Sequence, residues 1–553
     1  MSIVGTLTET DPRLLAIAGG VASTFYIHKF PMRGDHALLS EVALGALLYV
    51  VDRSVGGASF TKAVGFAISM VAIQFLTVVG ATVAYRLSPL HPLYKFPGPI
   101  LNKITSLKLA ALVYSGKRYL VIKEMHRKYG KFVRTGPNTL SINSIKAVAP
   151  LYSSSTSFNK SKAYIPGGVQ GHGLFFIQDR EEHNTRKKLW APAFTPSALA
   201  SYKPAIEKRV DQLIEVLPKR AKGPHGTIDF TEMSAHWSYD VMGELAYGRA
   251  NKIEMMEEGD PKGYVESGQL ATIAWESLGE VPSLFDLAWY LPLAKSMSAL
   301  EKLGENMIVN RAKSNEGNSN DLASHLLGEH DPSAPKLKAE DIKVDSFTVI
   351  QAGSDTTAGV LIFVLYFLLR DPESYARLQA ELDQAFPEPD APINLQTLNR
   401  LPFLGAVCEE SFRLGTPFGG LPRIVPQGGH VLDDVFVPEG TIVGVPPWTT
   451  QTSPENVYPE PEAFRPQRWM PGGLGPENKI VKQGILSFSY GPFACIGKSL
   501  AQQELRLVTT KLLLNYHLKL SPEFDNEKFV AGIDNMRATI FRYPLLITAE
   551  RRV

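Results

Sequence analysis

Long apolar stretches fill the first ninety residues, whereas apolar and polar residues are interspersed along the rest of the chain. Residues 63–85 contain no charged side chain, are long enough to cross a bilayer as a helix, and have a basic residue on each side. Two weaker stretches, at 14–27 and 42–51, are short for a full crossing, which leaves re-entrant, interfacial and tilted placements open. The pattern predicts an N-terminal membrane region, and a buried helix of a soluble domain is the less favoured alternative.

Four prolines fall in residues 88–99, directly after this span. Because proline does not fit a helix interior and favours extended backbone, we expect a stiff extended connector here. The polar segment 314–320 is too short to divide the remainder. The predicted division is therefore a membrane region at 1–87, with its strongest transmembrane helix at 63–85, a proline-rich hinge at 88–99 and one large domain at 100–553.

Helical periodicity dominates that large domain. The second half of residues 341–370 is apolar nearly all round, which is typical of a buried helix. Apolar positions recur at helical spacing over 501–512, and Pro402 suits the first turn of a helix that runs to about Leu414. Shorter segments with β-like alternation lie in 425–443. The predicted fold class is mainly α with small β-sheets.

Composition excludes several classes of function. The 553 residues carry a net charge of +2, which gives nucleic-acid binding no electrostatic support. Two cysteines, Cys408 and Cys495, cannot form a disulfide framework, an all-cysteine zinc site or a four-cysteine iron–sulfur cluster. They suit a reducing compartment.

The strongest local motif is the segment from Phe488 to Ala501, in which Gly491 and Gly497 flank Cys495. Close glycines let a backbone loop approach a flat partner, and the start of a helix favours thiolate over thiol. An anionic sulfur on such a loop is suited to binding a haem iron. The alternative is a buried structural cysteine, the commonest role of an unpaired Cys.

A second motif interrupts the long buried helix with Gly353, Asp355 and Thr356. Glycine destabilises a helix interior by about 1 kcal/mol relative to alanine, and a buried carboxylate needs partners. An acid beside a hydroxyl can relay protons, which favours a functional interpretation. A helix kink with threonine hydroxyls bonded to the preceding turn is the alternative.

The cysteine segment resembles the haem-binding signature F-x-x-G-x-R-x-C-x-G of the cytochrome P450 superfamily. It matches at Phe488, Gly491, Cys495 and Gly497, and it departs from the signature at Phe493, where the family usually has an arginine that holds a haem propionate. The resemblance implies that Cys495 is the axial ligand of the haem iron. The helix interruption is similar to the family's A-G-x-D-T-T segment, which implies that Thr356 holds dioxygen and Asp355 helps to deliver protons.

Supporting motifs follow in the family's order along the chain. The resemblance implies a structural triad of Glu410, Arg413 and Arg468, and a propionate contact from Arg423. The segment from His183 to Lys188 looks like the family's C helix. There His183, Arg186 and Lys187 are the candidate haem contacts, and the salt link could come from either of the last two.

The whole pattern is most similar to fungal, membrane-anchored members of the family. It implies a haem-thiolate monooxygenase domain at 100–553 that uses haem b, O2 and NADPH electrons from cytochrome P450 reductase on a lipophilic small molecule. The same resemblance implies an endoplasmic reticulum membrane, a cytosolic domain, a monomer, and a role in secondary metabolism or detoxification. A haem-thiolate isomerase or dehydratase that does not activate O2, and a non-catalytic haem-binding membrane protein, are the rival interpretations.

Overall fold

The computed structural model describes residues 11–30, 32–153, 158–164, 173–248, 251, 253–288, 290–291, 294–314, 321–329, 337–388 and 392–552, without the side chains of 294–300. The polar segment 314–320 lies outside these residues except for its first position. The first ten residues of the predicted membrane region also lie outside them.

Three helices form the N-terminal region: α1 (Pro12–Lys29), α2 (Gly34–Ser54) and α3 (Phe60–Leu87). By length and hydropathy both α2 and α3 could cross a membrane, so the second apolar stretch belongs to a longer helix than its sequence pattern indicated. Helices α1 and α3 run parallel. A Cβ on Gly20 would lie 2.7 Å from the Cβ of Thr77, so the two backbones approach closely at this glycine.

The start of α2 contacts the large domain. The backbone N–H of Gly34 donates to Asp286 Oδ2 at 3.0 Å, and the Tyr290 hydroxyl donates to Asp35 Oδ2 at 3.2 Å. A Cβ on Gly34 would overlap the carbonyl oxygen of Ser283. This end of the N-terminal region is therefore the end that faces the large domain.

The proline-rich hinge differs from the stiff extended connector that its composition predicted. Residues 88–96 form successive turns, with Leu93 and Phe96 buried in a core cluster of the large domain. His91 is also buried, and its ring lies 3.3 Å from the Arg134 guanidinium. The apolar side chains between the prolines bind the hinge to the domain, which proline content alone could not indicate.

The large domain is mainly helical with small sheets. Its helices are α4 (Ile100–Ile104), α5 (Leu107–Tyr114), α6 (Arg118–Tyr129), α7 (Val148–Tyr152), α8 (Arg180–Trp190), α9 (Pro196–Val216), α10 (Phe230–Tyr247), α11 (Met255–Glu258), α12 (Tyr264–Gly279), α13 (Pro282–Ala288), α14 (Ala294–Lys313), α15 (Leu322–Leu326), α16 (Ala339–Arg370), α17 (Pro372–Ala385), α18 (Leu395–Arg400), α19 (Pro402–Leu414), α20 (Pro447–Gln451), α21 (Lys498–Asn515) and α22 (Asn526–Ala531). Short 3-10 turns cover Ile145–Ala147, Lys162–Tyr164, Ala191–Phe194, Leu217–Arg220, Pro466–Trp469, Lys482–Gly484 and Gly491–Phe493.

The strands are short and form several separate sheets. In chain order they are β1 (Phe132–Gly136), β2 (Thr139–Ile142), β3 (Ile228–Asp229), β4 (Arg423–Ile424), β5 (His430–Leu432), β6 (Val435–Val437), β7 (Ile442–Gly444), β8 (Val457–Tyr458), β9 (Lys479–Ile480), β10 (Tyr516–Leu520), β11 (Ile533–Asn535), β12 (Thr539–Phe541) and β13 (Leu546–Arg551). One sheet has the order β1-β2-β7-β4, with β2 and β7 parallel, and another has the order β10-β13-β3. The pairs β5-β6, β8-β9 and β11-β12 are antiparallel hairpins or ribbons.

Helix α16 runs through the core and packs against α10, α14, α19 and α21. Its second half is buried on nearly every side, as its apolar sequence predicted. Helix α16 is also long and apolar enough to cross a membrane, but its burial among other helices identifies it as a core helix. Its middle section passes directly over the cysteine segment and forms one wall of a cavity.

Candidate functional site

A cavity lies between the middle of α16, the cysteine segment and the start of α21. The residues that line it are mostly apolar, with a few cationic, acidic and hydroxyl groups. The residues singled out in the sequence that line it are His183, Lys187, Gly353, Thr356, Arg423, Phe488, Phe493, Cys495 and Gly497.

Backbone hydrogen bonds shape the cysteine segment. The N–H of Cys495 donates to the carbonyl of Phe488 at 2.9 Å, and the N–H of Ala494 donates to the carbonyl of Gly491 at 3.0 Å. Gly491 has a φ of +67°, and a Cβ there would overlap the carbonyl oxygen of Tyr152. Only glycine fits this turn. The segment therefore holds Cys495 in place and leaves its sulfur open to the cavity.

The pKa of the Cys495 thiol is raised, although the residue lies just before the start of α21. Burial raises its pKa, and this effect outweighs the N–H of Gly497 and the charges of Lys187 and Lys498, which lower it. The helix start therefore does not suffice to make the sulfur a thiolate. A bound metal cation would supply the missing charge, because coordination deprotonates a thiol outright.

The interruption in α16 marks its closest approach to α10. A Cβ on Gly353 would lie 2.6 Å from the sulfur of Met242. The Ser238 hydroxyl donates to the carbonyl of Ser354 at 2.6 Å, which ties the two helices together. The Thr356 hydroxyl donates to the carbonyl of Ala352 at 2.7 Å, and Thr356 also lines the cavity. The hydrogen bond to the preceding turn and a position at the cavity therefore occur in the same residue.

Asp355 is next to Thr356 but does not line the cavity. Its carboxyl points toward Gly268, where Tyr239 also lies. Burial raises the pKa of Asp355 to about 7, against the opposing influence of Tyr239 and Gln351. The two predicted catalytic residues therefore lie on different sides of the helix. The Asp355 carboxyl gains or loses its proton near neutral pH.

Glu410, Arg413 and Arg468 meet in a fully buried cluster. Arg413 donates to both oxygens of Glu410 at 2.7 and 2.8 Å, and Arg468 donates to Glu410 Oε1 at 2.9 Å. The indole of Trp469 donates to Glu410 Oε2 at 2.9 Å. Burial raises the pKa of Glu410, but the hydrogen bonds and charges of the two arginines outweigh it, and the pKa is lowered. Arg413 also donates to the carbonyl of Pro461, which fixes the segment before Arg468.

The structure separates the two candidate cations of α8. Arg186 forms ion pairs with Asp341 at 2.8 Å and Asp345 at 3.0 Å on α16, and it does not line the cavity. Lys187 does line the cavity, and its Nζ donates to the carbonyls of Pro492 and Ala494 at 2.8 and 2.9 Å. Of the two possibilities that the sequence left open, the geometry therefore disfavours Arg186.

Lys160 and Glu504 are cavity residues with ionisable side chains that the sequence did not identify. Lys160 is buried and its Nζ donates to the carbonyl of Phe175 at 2.7 Å, but nothing in its local sequence indicates this position. Glu504 lies on α21, and burial raises its pKa to about 8. A signal for Glu504 was present, because it takes one place in a row of otherwise apolar residues spaced four apart, which includes Leu500, Val508 and Leu512.

Apolar side chains line the rest of the cavity. Residues 416–421 contribute Pro417, Phe418 and Leu421. The segment 164–176 lies outside the described residues at 165–172, and its described ends contribute Tyr164, Leu174 and Phe175.

Comparison with known proteins agrees with this geometry. The family model for cytochrome P450 matches residues 96–536. Over 517 residues the chain is 30% identical to "Cytochrome P450 monooxygenase FCK2" of Fusarium pseudograminearum, covering 92% of this chain and 90% of that protein. It is also 30% identical to "Cytochrome P450 monooxygenase ABA2" of Pyricularia oryzae, covering 82% and 89%. It is 28% identical to "Tryprostatin B 6-hydroxylase" of Neosartorya fischeri, covering 83% and 82%.

These matches extend over most of the chain and include the helices and the cysteine segment that form the cavity. The chain therefore belongs to the cytochrome P450 family, and by that membership it is an oxidoreductase of the monooxygenase class.

Proposed function

We propose that this protein is a haem-thiolate monooxygenase that inserts one atom of O2 into a lipophilic small molecule, by hydroxylation or a related oxidation. Family membership implies haem, dioxygen and electrons from a redox partner. The proposal adds that the haem is haem b and that NADPH supplies the electrons through cytochrome P450 reductase. The observation that carries it is the Cys495 sulfur, held by backbone hydrogen bonds and open to the same cavity as Thr356.

The residues of the cavity fit haem b. Cys495 would hold its iron through sulfur, and its two propionates would need cationic or N–H donors. Lys187, Arg423 and His183 provide such donors at one end of the cavity. Arg423 Nε and His183 Nδ1 are buried and have no hydrogen-bond partner among the described residues, as expected of groups that bind an anion from outside the chain. When bound, haem would supply the activation of O2.

The chain's own contribution to that chemistry is proton supply on α16. The Asp355 carboxyl, with its pKa of about 7, holds a proton at neutral pH that it can also release. Thr356, the next residue in the sequence, lines the cavity. We propose that Asp355 supplies protons and that Thr356 places them at the oxygen side of the cavity.

Apolar walls select the substrate. Val349 and Ala352 of α16, together with Phe175, Pro417 and Phe418, face the cavity with side chains that offer no charge. Such a surface favours a lipophilic substrate and excludes water from the reacting centre. The name of one fungal relative, a hydroxylase of tryprostatin B, supports hydroxylation of a small molecule, and we propose a role in secondary metabolism or detoxification.

Location and electron supply belong to the same proposal. The apolar helices α2 and α3 anchor the protein in a membrane, which we propose is the endoplasmic reticulum with the large domain in the cytosol. Lys188 of α8 and Lys498 of the cysteine segment are exposed and offer positive charge for an acidic flavoprotein reductase. His183 and Arg186 of α8 are buried and do not contribute to this exposed charge.

The first test is a reduced carbon-monoxide difference spectrum of the membrane-expressed protein beside Cys495→Ser. We expect a red-shifted, thiolate-type band in the wild type and none in the variant, because only the native sulfur supplies the axial thiolate. Cys408→Ser is the matched control and should keep the band, since this cysteine is buried outside the cavity. A band typical of histidine-ligated haem in the wild type would overturn the proposal.

Consumption of NADPH and O2 with a reductase separates the rival interpretations. A monooxygenase consumes both in proportion to product. A haem-thiolate isomerase or dehydratase would convert its substrate without either, and a non-catalytic haem-binding protein would convert nothing.

A further inference from the structure

Three cations lie close together at one end of the cavity. Lys160, Lys187 and Arg423 all line it, and none forms an ion pair with a carboxylate among the described residues. Lys160 and Arg423 are neighbours because their backbones form an antiparallel bridge between the segment after α7 and β4. Buried charges are costly unless an opposite charge neutralises them. The cluster is therefore suited to a ligand that carries more than one negative charge.

Lys160 has the fewest hydrogen-bond acceptors of the three among the described residues. Its side chain is 4% exposed, its Nζ donates to the carbonyl of Phe175, and it also lies over the rings of Tyr164, Phe175 and Phe493. Its pKa is lowered well below the usual lysine value, first by burial and then by the charges of Arg423, Arg537 and Lys187. A nearby anion would oppose this lowering, because it favours the charged ammonium.

Phe493 lies at the centre of the cluster. The Lys160 ammonium and the Arg423 guanidinium each lie 4.8 Å from the centre of its ring, and the His183 ring centre is 4.5 Å away. An aromatic face attracts cations and holds them in place, but it cannot bind a carboxylate. Phe493, which occupies the arginine position of the family signature, thus contacts two cations from other parts of the chain.

We propose that Lys160 takes over the role of the arginine missing at position 493 and donates a charge-assisted hydrogen bond to a haem propionate, with Phe493 positioning it. This inference rests on the proposed function, because it requires haem in the cavity. The competing explanation is that Lys160 is structural and serves only to satisfy the carbonyl of Phe175.

The test compares how fast full-length variants lose haem to excess apomyoglobin. Lys160→Met keeps the length of the side chain and removes the ammonium, and Lys162→Met is the matched control because Lys162 is exposed two residues away. A lost charge-assisted hydrogen bond corresponds to haem release about tenfold to a hundredfold faster. We expect that increase for Lys160→Met and the wild-type rate for Lys162→Met.

A second variant separates binding from folding. Adding Phe493→Arg to Lys160→Met restores a guanidinium at the family position, and we expect it to return haem release toward the wild-type rate. Haem dimethyl ester, which has no propionate charge, should be lost at similar rates from the wild type and from Lys160→Met. A structural lysine would produce neither the rescue nor the dependence on the propionates.

Lys160→Met that releases haem at the wild-type rate would overturn the inference. So would faster release of haem and of its dimethyl ester by the same factor. The proposed function fails on a different result, namely the absence of a thiolate-type band from haem-loaded wild type and Lys162→Met. The spectrum reports which atom binds the iron, whereas the ratio of release rates between variants that share the same iron ligand reports the propionate contact, so the two failures can be told apart.

Discussion

At the scale of single residues, burial controls the chemistry of the carboxyl groups near the cavity. Glu504 is almost completely buried, its Oε1 has no hydrogen-bond partner among the described residues, and only Thr357 opposes the rise of its pKa to about 8. The folded protein therefore keeps this carboxyl protonated at neutral pH, whereas the unfolded chain releases the proton at about pH 4.3. Asp355 shows the same effect with a pKa of about 7.

This difference predicts a pH-dependent stability. Between about pH 5 and pH 8 the folded state holds a proton on Glu504 that the unfolded state has lost, so the free energy of unfolding falls as pH rises, by up to about 1.4 kcal/mol per pH unit. Glu504→Gln removes this contribution. We expect its stability relative to wild type to increase from pH 5 to pH 8 in denaturant unfolding.

The exposed Glu523 supplies the control for this comparison. Glu523→Gln should leave the pH dependence unchanged. If Glu504→Gln differed from wild type by the same free energy at both pH values, the carboxyl would ionise normally in the folded protein.

At the scale of elements, the cysteine segment is held by one obligatory glycine. Gly491 combines a positive φ with contact against the carbonyl of Tyr152 in α7, whereas Gly497 has a negative φ and no protein atom closer than 3.9 Å to the position of a Cβ. The two glycines of the motif therefore have different roles in the fold. Gly491 allows the turn, and Gly497 leaves the space beside the Cys495 sulfur free of a side chain.

Gly491→Ala should displace the segment that carries Cys495. A left-handed φ costs an alanine about 1–2 kcal/mol, and the overlap with Tyr152 adds to it. We expect a lowered melting temperature together with loss of the thiolate-type band. Gly405→Ala, inside α19 and with room for a Cβ, is the control and should retain both. A Gly491→Ala protein with a native band would show that the segment can shift without moving the sulfur.

At the scale of the whole molecule, the N-terminal helices form an up-down-up arrangement. The ends of α1 and α3 meet where the His28 ring lies 3.2 Å from the Tyr85 hydroxyl, and the start of α2 contacts Asp286. The opposite end of α2 lies beside the start of α3, where the rings of Tyr49 and Phe60 are 6.0 Å apart. The turn between α2 and α3 is therefore at the end of the bundle away from the large domain.

This arrangement predicts that α2 crosses the membrane. In intact microsomes, a membrane-impermeant maleimide should label Lys29→Cys, at the end of α1 near the large domain. It should not label Ser59→Cys, just before α3, until the membrane is permeabilised. Both positions are exposed in the folded chain, so a difference in labelling reports the membrane side. Labelling of both in intact microsomes would mean that α2 lies in the interface and does not cross.

The sequence by itself determined the features that depend on neighbouring residues. Pro402 placed the start of α19, and the all-round apolar second half of α16 established that this helix is buried. The glycines around Cys495 and the Thr356 hydroxyl in α16 indicated two segments that line the cavity, because turn geometry and helix periodicity depend on local spacing.

Only the tertiary structure decided which side chains face the cavity and which pack against other elements. Arg186 and Lys187 are adjacent, so they point to different sides of α8. Arg186 forms an ion pair with Asp345 on a helix distant in sequence, whereas Lys187 lines the cavity. Lys160 becomes a cavity residue through its bridge to Arg423, and the hinge lies against the domain through Leu93 and Phe96. Periodicity reveals which face of an element is buried, but the partner of that face comes from residues hundreds of positions away, which no local pattern contains.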